Sequence, residues 1–167
     1  DYFNSGFQSV PVDFNGDGQQ VVVAGSDIYD YSGQTVCSTG YPDGYPAVAD
    51  LDGDGEGEFV VTGNEYVRLF EADCSLIAEW ETEGYGSGGP STIADFDGDG
   101  EPEITVADKS RFSLYEVDGT LVWSIETTEK SSGATASSVF DFDGDGAAEV
   151  VYADEVALWI LDGKTGA

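Results

Sequence analysis

Apolar residues in this 167-residue chain fall into short runs rather than long stripes. Val21-Val22-Val23, Phe59-Val60-Val61-Thr62, Ile104-Thr105-Val106 and Val150-Val151-Tyr152 are β-branched or aromatic throughout and have turn formers on both sides. Such runs predict strands, not helices. Smaller residues upstream, at Pro46-Ala47-Val48-Ala49, Ser91-Thr92-Ile93-Ala94 and Ser137-Ser138-Val139-Phe140, predict a strand before each of the last three. A further strand follows each run, marked by an aliphatic–aromatic pair at Ile28-Tyr29, Leu69-Phe70, Leu114-Tyr115 and Leu158-Trp159. Ser32-Gly33, Asp73-Cys74, Asp118-Gly119 and Asp162-Gly163 come next and predict hairpin turns. Outer strands then read at Thr35-Val36-Cys37, Leu76-Ile77-Ala78-Glu79-Trp80 and Leu121-Val122-Trp123-Ser124-Ile125. Aromatic residues recurring once per unit read as core between neighbouring sheets.

The polar segments between the first and second strands carry the strongest signal. Asp95-Phe96-Asp97-Gly98-Asp99-Gly100-Glu101-Pro102-Glu103 alternates carboxylates with residues facing away. Oxygens at positions 1, 3 and 5 converge, and the glycines let the backbone curl. The carbonyl of Glu101 supplies position 7 and Glu103 closes the cage at position 9 with two oxygens. An oxygen-only cage suits Ca²⁺ rather than zinc or copper. Asp50, Asp52, Asp54, Glu56 and Glu58 repeat the pattern, as do Asp141, Asp143, Asp145, Ala147 and Glu149, with the carbonyl serving at Glu56 and Ala147. Asp13, Asn15, Asp17 and Gln19 form a weaker copy, in which Val21 holds position 9 and a one-residue deletion would bring Gln20 there. The motif starts at residues 13, 50, 95 and 141, a near-constant spacing that marks a repeat architecture. An EF-hand would need an acidic residue where Val61 and Val106 stand, and helices on both sides.

Charge narrows the function classes. The net charge is −29, with 34 acidic and 5 basic residues. That excludes nucleic acid as a partner, and an anionic membrane surface likewise. Forty per cent apolar and 13% aromatic content argues against disorder. No apolar run reaches the length of a membrane-spanning helix, so no membrane insertion is expected. The acid surplus remains after filling four divalent sites and reads as a solvated surface, with a cationic partner the alternative. The chain begins at Asp1 rather than Met, which reads as a mature or excised segment.

Four-stranded antiparallel units at this period are blades of a β-propeller. With the loop Asp-x-Asp-Gly-Asp-Gly-x-x-Glu ahead of an apolar strand, the chain resembles the calcium-binding repeats of integrin α-subunit propellers and the related FG-GAP and VCBS repeats. The resemblance covers nearly the whole chain. It implies an all-β propeller, or propeller segment, of four four-stranded blades at about residues 8–40, 46–83, 91–128 and 137–167, in one domain over 1–167. It implies three to four Ca²⁺ ions held at the positions named above, with each loop joining the innermost strand of a blade to the second.

Cys37 is placed in the outer strand of the first blade and Cys74 in the outer turn of the second, so a disulfide between them is expected, with two free thiols the alternative. A disulfide fits a secreted or cell-surface location. The family's ligand face, opposite the calcium loops, contains Tyr41, Tyr45 and Tyr85 and the Ser/Thr-rich segment at 131–135. A protein or glycan ligand is expected there, or else the tyrosines cap the central channel. The chain has no His and therefore no Ser-His or Cys-His machinery. The expectation is a non-enzymatic repeat protein of adhesion, scaffolding or assembly, with self-assembly through blade edges. A segment of a calcium-dependent polysaccharide lyase, using Lys109, Arg111 or Lys130, and a subunit of an extracellular fibre are the alternatives. Four blades closing alone, half of an eight-bladed ring and part of a longer array all fit the ends of the chain.

Overall fold

A computed structural model describes residues 8–129 and 135–167. Lys130, the segment 1–7 and most of the Ser/Thr-rich connection lie outside the described residues. Among the described residues there is no helix, and every strand pairing is antiparallel. The first sheet holds β1 (Ser9–Val12), β2 (Val21–Ala24), β3 (Asp27–Tyr29) and β4 (Thr35–Ser38). The second holds β5 (Tyr45–Ala49), β6 (Glu58–Gly63), β7 (Tyr66–Phe70) and β8 (Leu76–Glu81). The third holds β9 (Ile93–Ala94), β10 (Glu103–Ala107), β11 (Arg111–Tyr115) and β12 (Leu121–Glu126). The fourth holds β13 (Ser138–Phe140), β14 (Glu149–Ala153) and β15 (Leu158–Leu161). Strands neighbour each other in chain order, so each sheet is a meander built from local hairpins.

Alternation decides what packs where, because successive side chains on a strand point to opposite faces. Val60, Val67 and Leu69 leave one face of the second sheet and meet Ile104, Val106 and Tyr115 of the third. Phe59, Val61 and Phe70 leave the other face and meet Val23 and Ile28 of the first. Phe112, Leu114 and Ala107 of the third meet Val150, Tyr152 and Leu161 of the fourth. The central strands β6 and β10 are therefore buried along their whole length. Three clusters join sheets in sequence, and among the described residues none joins the fourth sheet to the first.

In the first three sheets the aliphatic–aromatic pair is a β-bulge. The register against the outer strand shifts between Ile28 and Tyr29, Leu69 and Phe70, and Leu114 and Tyr115. The turn that follows closes through a left-handed residue: Gly33, Cys74 and Gly119 at φ 80°, 69° and 86°.

Two sequence expectations are corrected. Among the described residues the fourth sheet has three strands, where four were expected. Its third strand also sits two residues later than the aromatic pair implies. Val150, the counterpart of Phe59 and Ile104, pairs with Leu161, whereas those pair with Phe70 and Tyr115. Ile160-Leu161, not Leu158-Trp159, thus occupies the position of Leu114-Tyr115. The left-handed turn residue is Gly166, at φ 70°, rather than Gly163. The turn from Asp162 to Gly166 is one residue longer than its counterpart from Glu116 to Gly119, and both close with a backbone bond.

The expected disulfide is present. Cys37 on β4 bonds to Cys74 in the β7–β8 turn and ties the first sheet to the second.

Candidate metal centre

The acidic loops join the first strand of each sheet to the second, and one hydrogen-bond scheme recurs in them. The position-1 carboxylate accepts two backbone N–H groups: Asp50 from Gly53 and Gly55, Asp95 from Gly98 and Gly100, Asp141 from Gly144 and Gly146. Position 3 accepts from position 5, so Asp52, Asp97 and Asp143 receive the N–H of Asp54, Asp99 and Asp145. Position 5 accepts from position 7, at Glu56, Glu101 and Ala147. Left-handed glycines at positions 4 and 6 make the curl possible, for example Gly98 at φ 80° and Gly100 at φ 95°. The side chains are held by the backbone, and in the last three loops oxygens of positions 1, 3 and 9 gather in one region with lone pairs to spare.

Position 9 comes from the second strand. Glu58, Glu103 and Glu149 each accept the N–H of the apolar position-2 residue, Leu51, Phe96 and Phe142, through Oε2 at 2.6, 2.6 and 2.8 Å. One glutamate oxygen in each loop thus accepts a backbone bond, and each carboxylate oxygen keeps a lone pair for a further partner. In the third loop the other oxygen, Oε1 of Glu103, is buried without a hydrogen-bond partner, in a residue only 1% exposed. Burial pushes the Glu103 carboxyl up to about 7 against the pull of the Phe96 N–H, and the charges of Asp97, Glu116 and Asp95 add to the rise. Burial likewise raises Glu58. A buried oxygen left without a donor, on a residue of a carboxylate cluster, is what a cation would satisfy.

The loops are not equal. Oxygens of Asp95, Asp97, Asp99 and Glu103 all lie within 4.8 Å of one another. The second loop gathers Asp50, Asp52 and Glu58, and the fourth gathers Asp141, Asp143 and Glu149. Asp54 and Asp145 stand outside these groups, and Asp145 pairs with Lys164 at 3.1 Å. Lys164 comes from the β15 turn, a long-range partner that no local motif announces. The first loop keeps the curl, with Gly18 donating to Asp13 and Gln19 to Asp17, but its acids form no such group among the described residues. The side-chain amide of Gln19 donates to Asp17 at 3.3 Å.

The expected ligand tyrosines are distributed differently. Tyr41 packs on Phe70, with ring centroids 5.6 Å apart, and beneath the Arg68 guanidinium. Tyr45 lies half-buried on β5, and Tyr85 is 74% exposed. Lys109 is exposed, whereas Arg111 is held by Ser124 at 2.7 Å.

Residues 95–152, which span the third and fourth loops, match the family described as the FG-GAP-like repeat. That segment, about a third of the chain, is similar to an FG-GAP-like repeat. No curated protein sequence matches the chain significantly. Among solved structures, the biofilm matrix protein Bap1 of V. cholerae superposes with a TM-score of 0.79 at 16% identity, over 96% of this chain and 54% of Bap1. The exotype rhamnogalacturonan lyase YesX gives 0.65 at 18% identity, over 95% of this chain and 40% of the lyase. BamB from Moraxella catarrhalis gives 0.60 at 15% identity, over 98% of this chain and 47% of BamB. At these identities the likeness concerns the fold alone. The chain spans about half or less of the proteins it superposes on.

Proposed function

We propose that this chain is an arc of β-propeller blades, stabilised by calcium in its acidic loops, that serves outside the cell as an adhesive or scaffolding surface without catalysing a reaction. The observation that carries the calcium reading is Glu103, which gathers with three aspartates and has a buried oxygen, Oε1, without a hydrogen-bond partner. Asp95, Asp97, Asp99 and Glu103 would hold the ion in the third loop, with the corresponding residues of the second and fourth loops following. The first loop, with an amide at position 3 and valine at position 9, would be the weakest. A bound divalent cation would offset the repulsion among the carboxylates and lock the first strand of a sheet to the second, so that its binding energy adds to folding.

The disulfide supports an extracellular setting. The scaffold reading draws on the matrix protein Bap1, on which this chain superposes with a higher TM-score than on the lyase, 0.79 against 0.65. Tyr85 is the exposed aromatic available to a protein or glycan ligand on the face away from the loops. The rival reading, part of a polysaccharide lyase, draws on the fold of YesX. Its cationic candidates are Lys109 and Arg111, and the bonds from Arg111 to Ser124 commit that side chain to the sheet.

Thermal melting in excess calcium and in excess chelator tests the proposal. The expected result is a melting temperature higher in calcium, with Asp97→Ala losing more of that gain than Asn15→Ala. Superposable melts would overturn it. Incubation with rhamnogalacturonan separates the two readings, and no release of unsaturated product is expected.

A further inference from the structure

The three sheet–sheet interfaces are built to one plan, and the middle one is left open. The residue paired with the aliphatic member of each bulge is Cys37 opposite Ile28, Ala78 opposite Leu69 and Trp123 opposite Leu114. At the first interface Cys37 reaches the next sheet's turn as a disulfide to Cys74. At the third, Trp123 lies against the turn at Gly166, where an added Cβ would come within 2.7 Å of its ring, and its Nε1–H donates to the carbonyl of Gly163. Between them, the tryptophan has moved two residues along β8. Trp80 still covers the turn at Gly119, and the small Ala78 leaves the usual position empty.

A second, independent feature opens the same interface. Neighbouring acidic loops are tied by backbone bonds, Gly57 N–H to Phe14 O at 2.9 Å and Ala148 N–H to Asp95 O at 3.1 Å. The residue at that position of the third loop is Pro102, which has no N–H to give. The result is a cleft between the second and third sheets, in two lobes of about 380 and 600 Å³ that share Leu51, Asp52 and Val117. Leu69, Ala78 and Val117 form an apolar floor and Ile77, 47% exposed, a wall. Glu71, Glu101 and Asp118 supply carboxylates that are not cage ligands, and among the described residues lining the cleft none is basic.

We propose that this cleft binds a basic segment of a partner protein in which lysine or arginine alternates with an aliphatic side chain. The floor takes the aliphatic group and the methylene stems of the basic residues, and the rim takes their charges. The sign of the rim turns away acidic polysaccharide. Filling the cage loops leaves this rim charged, so the inference goes beyond the calcium proposal.

The test is fluorescence anisotropy with an acetylated six-residue peptide alternating lysine and leucine, at physiological ionic strength, with and without calcium. Control peptides carry glutamate for lysine, or serine for leucine. Binding of the lysine–leucine peptide is expected to weaken about tenfold in Ala78→Trp, which fills the cleft as Trp123 does, and about tenfold in the double variant Glu71→Gln, Asp118→Asn. The glutamate peptide is expected not to bind and the serine peptide to bind about tenfold more weakly. Methyl-shift mapping on the unaltered chain gives a readout that does not depend on a variant folding, with shifts expected at Leu69, Ile77 and Val117. Equal binding of the serine peptide, unchanged binding in Ala78→Trp, or shifts confined elsewhere would overturn the proposal. Loss of calcium stabilisation with peptide binding intact would overturn the calcium reading and leave this one standing.

Discussion

At the scale of single residues, a few buried polar atoms decide how each position responds to change. Trp80 and Trp123 do the same packing work, yet the indole N–H of Trp123 is bonded to Gly163 O at 2.6 Å and that of Trp80 is buried without a partner. Replacing Trp80 with phenylalanine removes an unpaired donor, whereas the same change at Trp123 strands a carbonyl. Urea denaturation should show Trp123→Phe losing about 1–3 kcal/mol and Trp80→Phe at least about 1 kcal/mol less. Asp108 is fully buried at the end of β10, accepts the N–H of Gly84, and is pushed by burial up to about 6. Its folded value lies above its unfolded one, so the folded chain keeps a proton that the unfolded chain gives up. Stability from this group is present at low pH and is lost as pH rises from about 4 through about 6. Asp108→Asn should match the parent near the lower limit and gain on it by about 2–3 kcal/mol above the upper one, as two units of pKa require. Melts of parent and variant across that range in the same buffers, where the loop carboxylates are common to both, would show it. A difference independent of pH would mean that the carboxyl titrates normally.

At the scale of elements, the hairpin carries most of what could be read directly. The acidic loop and the strand after it are contiguous, so Asp95 to Val106 announced both the curl and β10 without help from the rest of the chain. The second and third sheets were legible for that reason. The fourth was not fully so, because Asp162-Gly163 imitates the turn signature while the true turn residue is Gly166. Only the pairing of Val150 with Leu161, a contact between strands, fixes the register. The same limit hid the cleft. Counting along the outer strands shows a tryptophan in two of them, but not that the bulge sets Ala78, rather than Trp80, opposite the counterpart of Leu114. Lys164 beside Asp145 was hidden too, since it joins two elements. The disulfide, by contrast, was readable once each cysteine had a place in its repeat. It closes a sequence separation of 37 residues and replaces the turn-on-tryptophan contact found at the other interfaces. Chain-entropy arguments put the loss from Cys37→Ser with Cys74→Ser at about 4 kcal/mol. Denaturant midpoints of parent and variant check this. A loss much below about 2 kcal/mol would mean that Phe59, Phe70 and Tyr41 hold the interface without the crosslink.

For the whole molecule, the question is where the stack of sheets ends. Each interior sheet buries both faces, and the three cores run in one direction along the chain. Leu69 in the second sheet and Ile160 in the fourth hold the same position in the repeat, since Leu69 pairs with Val60 and Ile160 with Val151. Leu69 is buried against the third sheet, while Ile160 is 58% exposed, beside Leu158 at 70%. Identical local chemistry therefore has opposite consequences. Leu69→Ala removes packed methyl groups and should cost about 2–5 kcal/mol. Ile160→Ala removes groups already in water and should cost less than about 1 kcal/mol, with Ile160→Lys tolerated equally. The comparison is made on dilute protein in calcium, with native mass spectrometry on the same sample to count chains. Two unequal losses and a single chain fit an arc whose last face meets solvent. Equal losses would contradict the exposed position of Ile160 and would mean that this face is covered in solution, and a mass of two chains would identify the cover as a second copy.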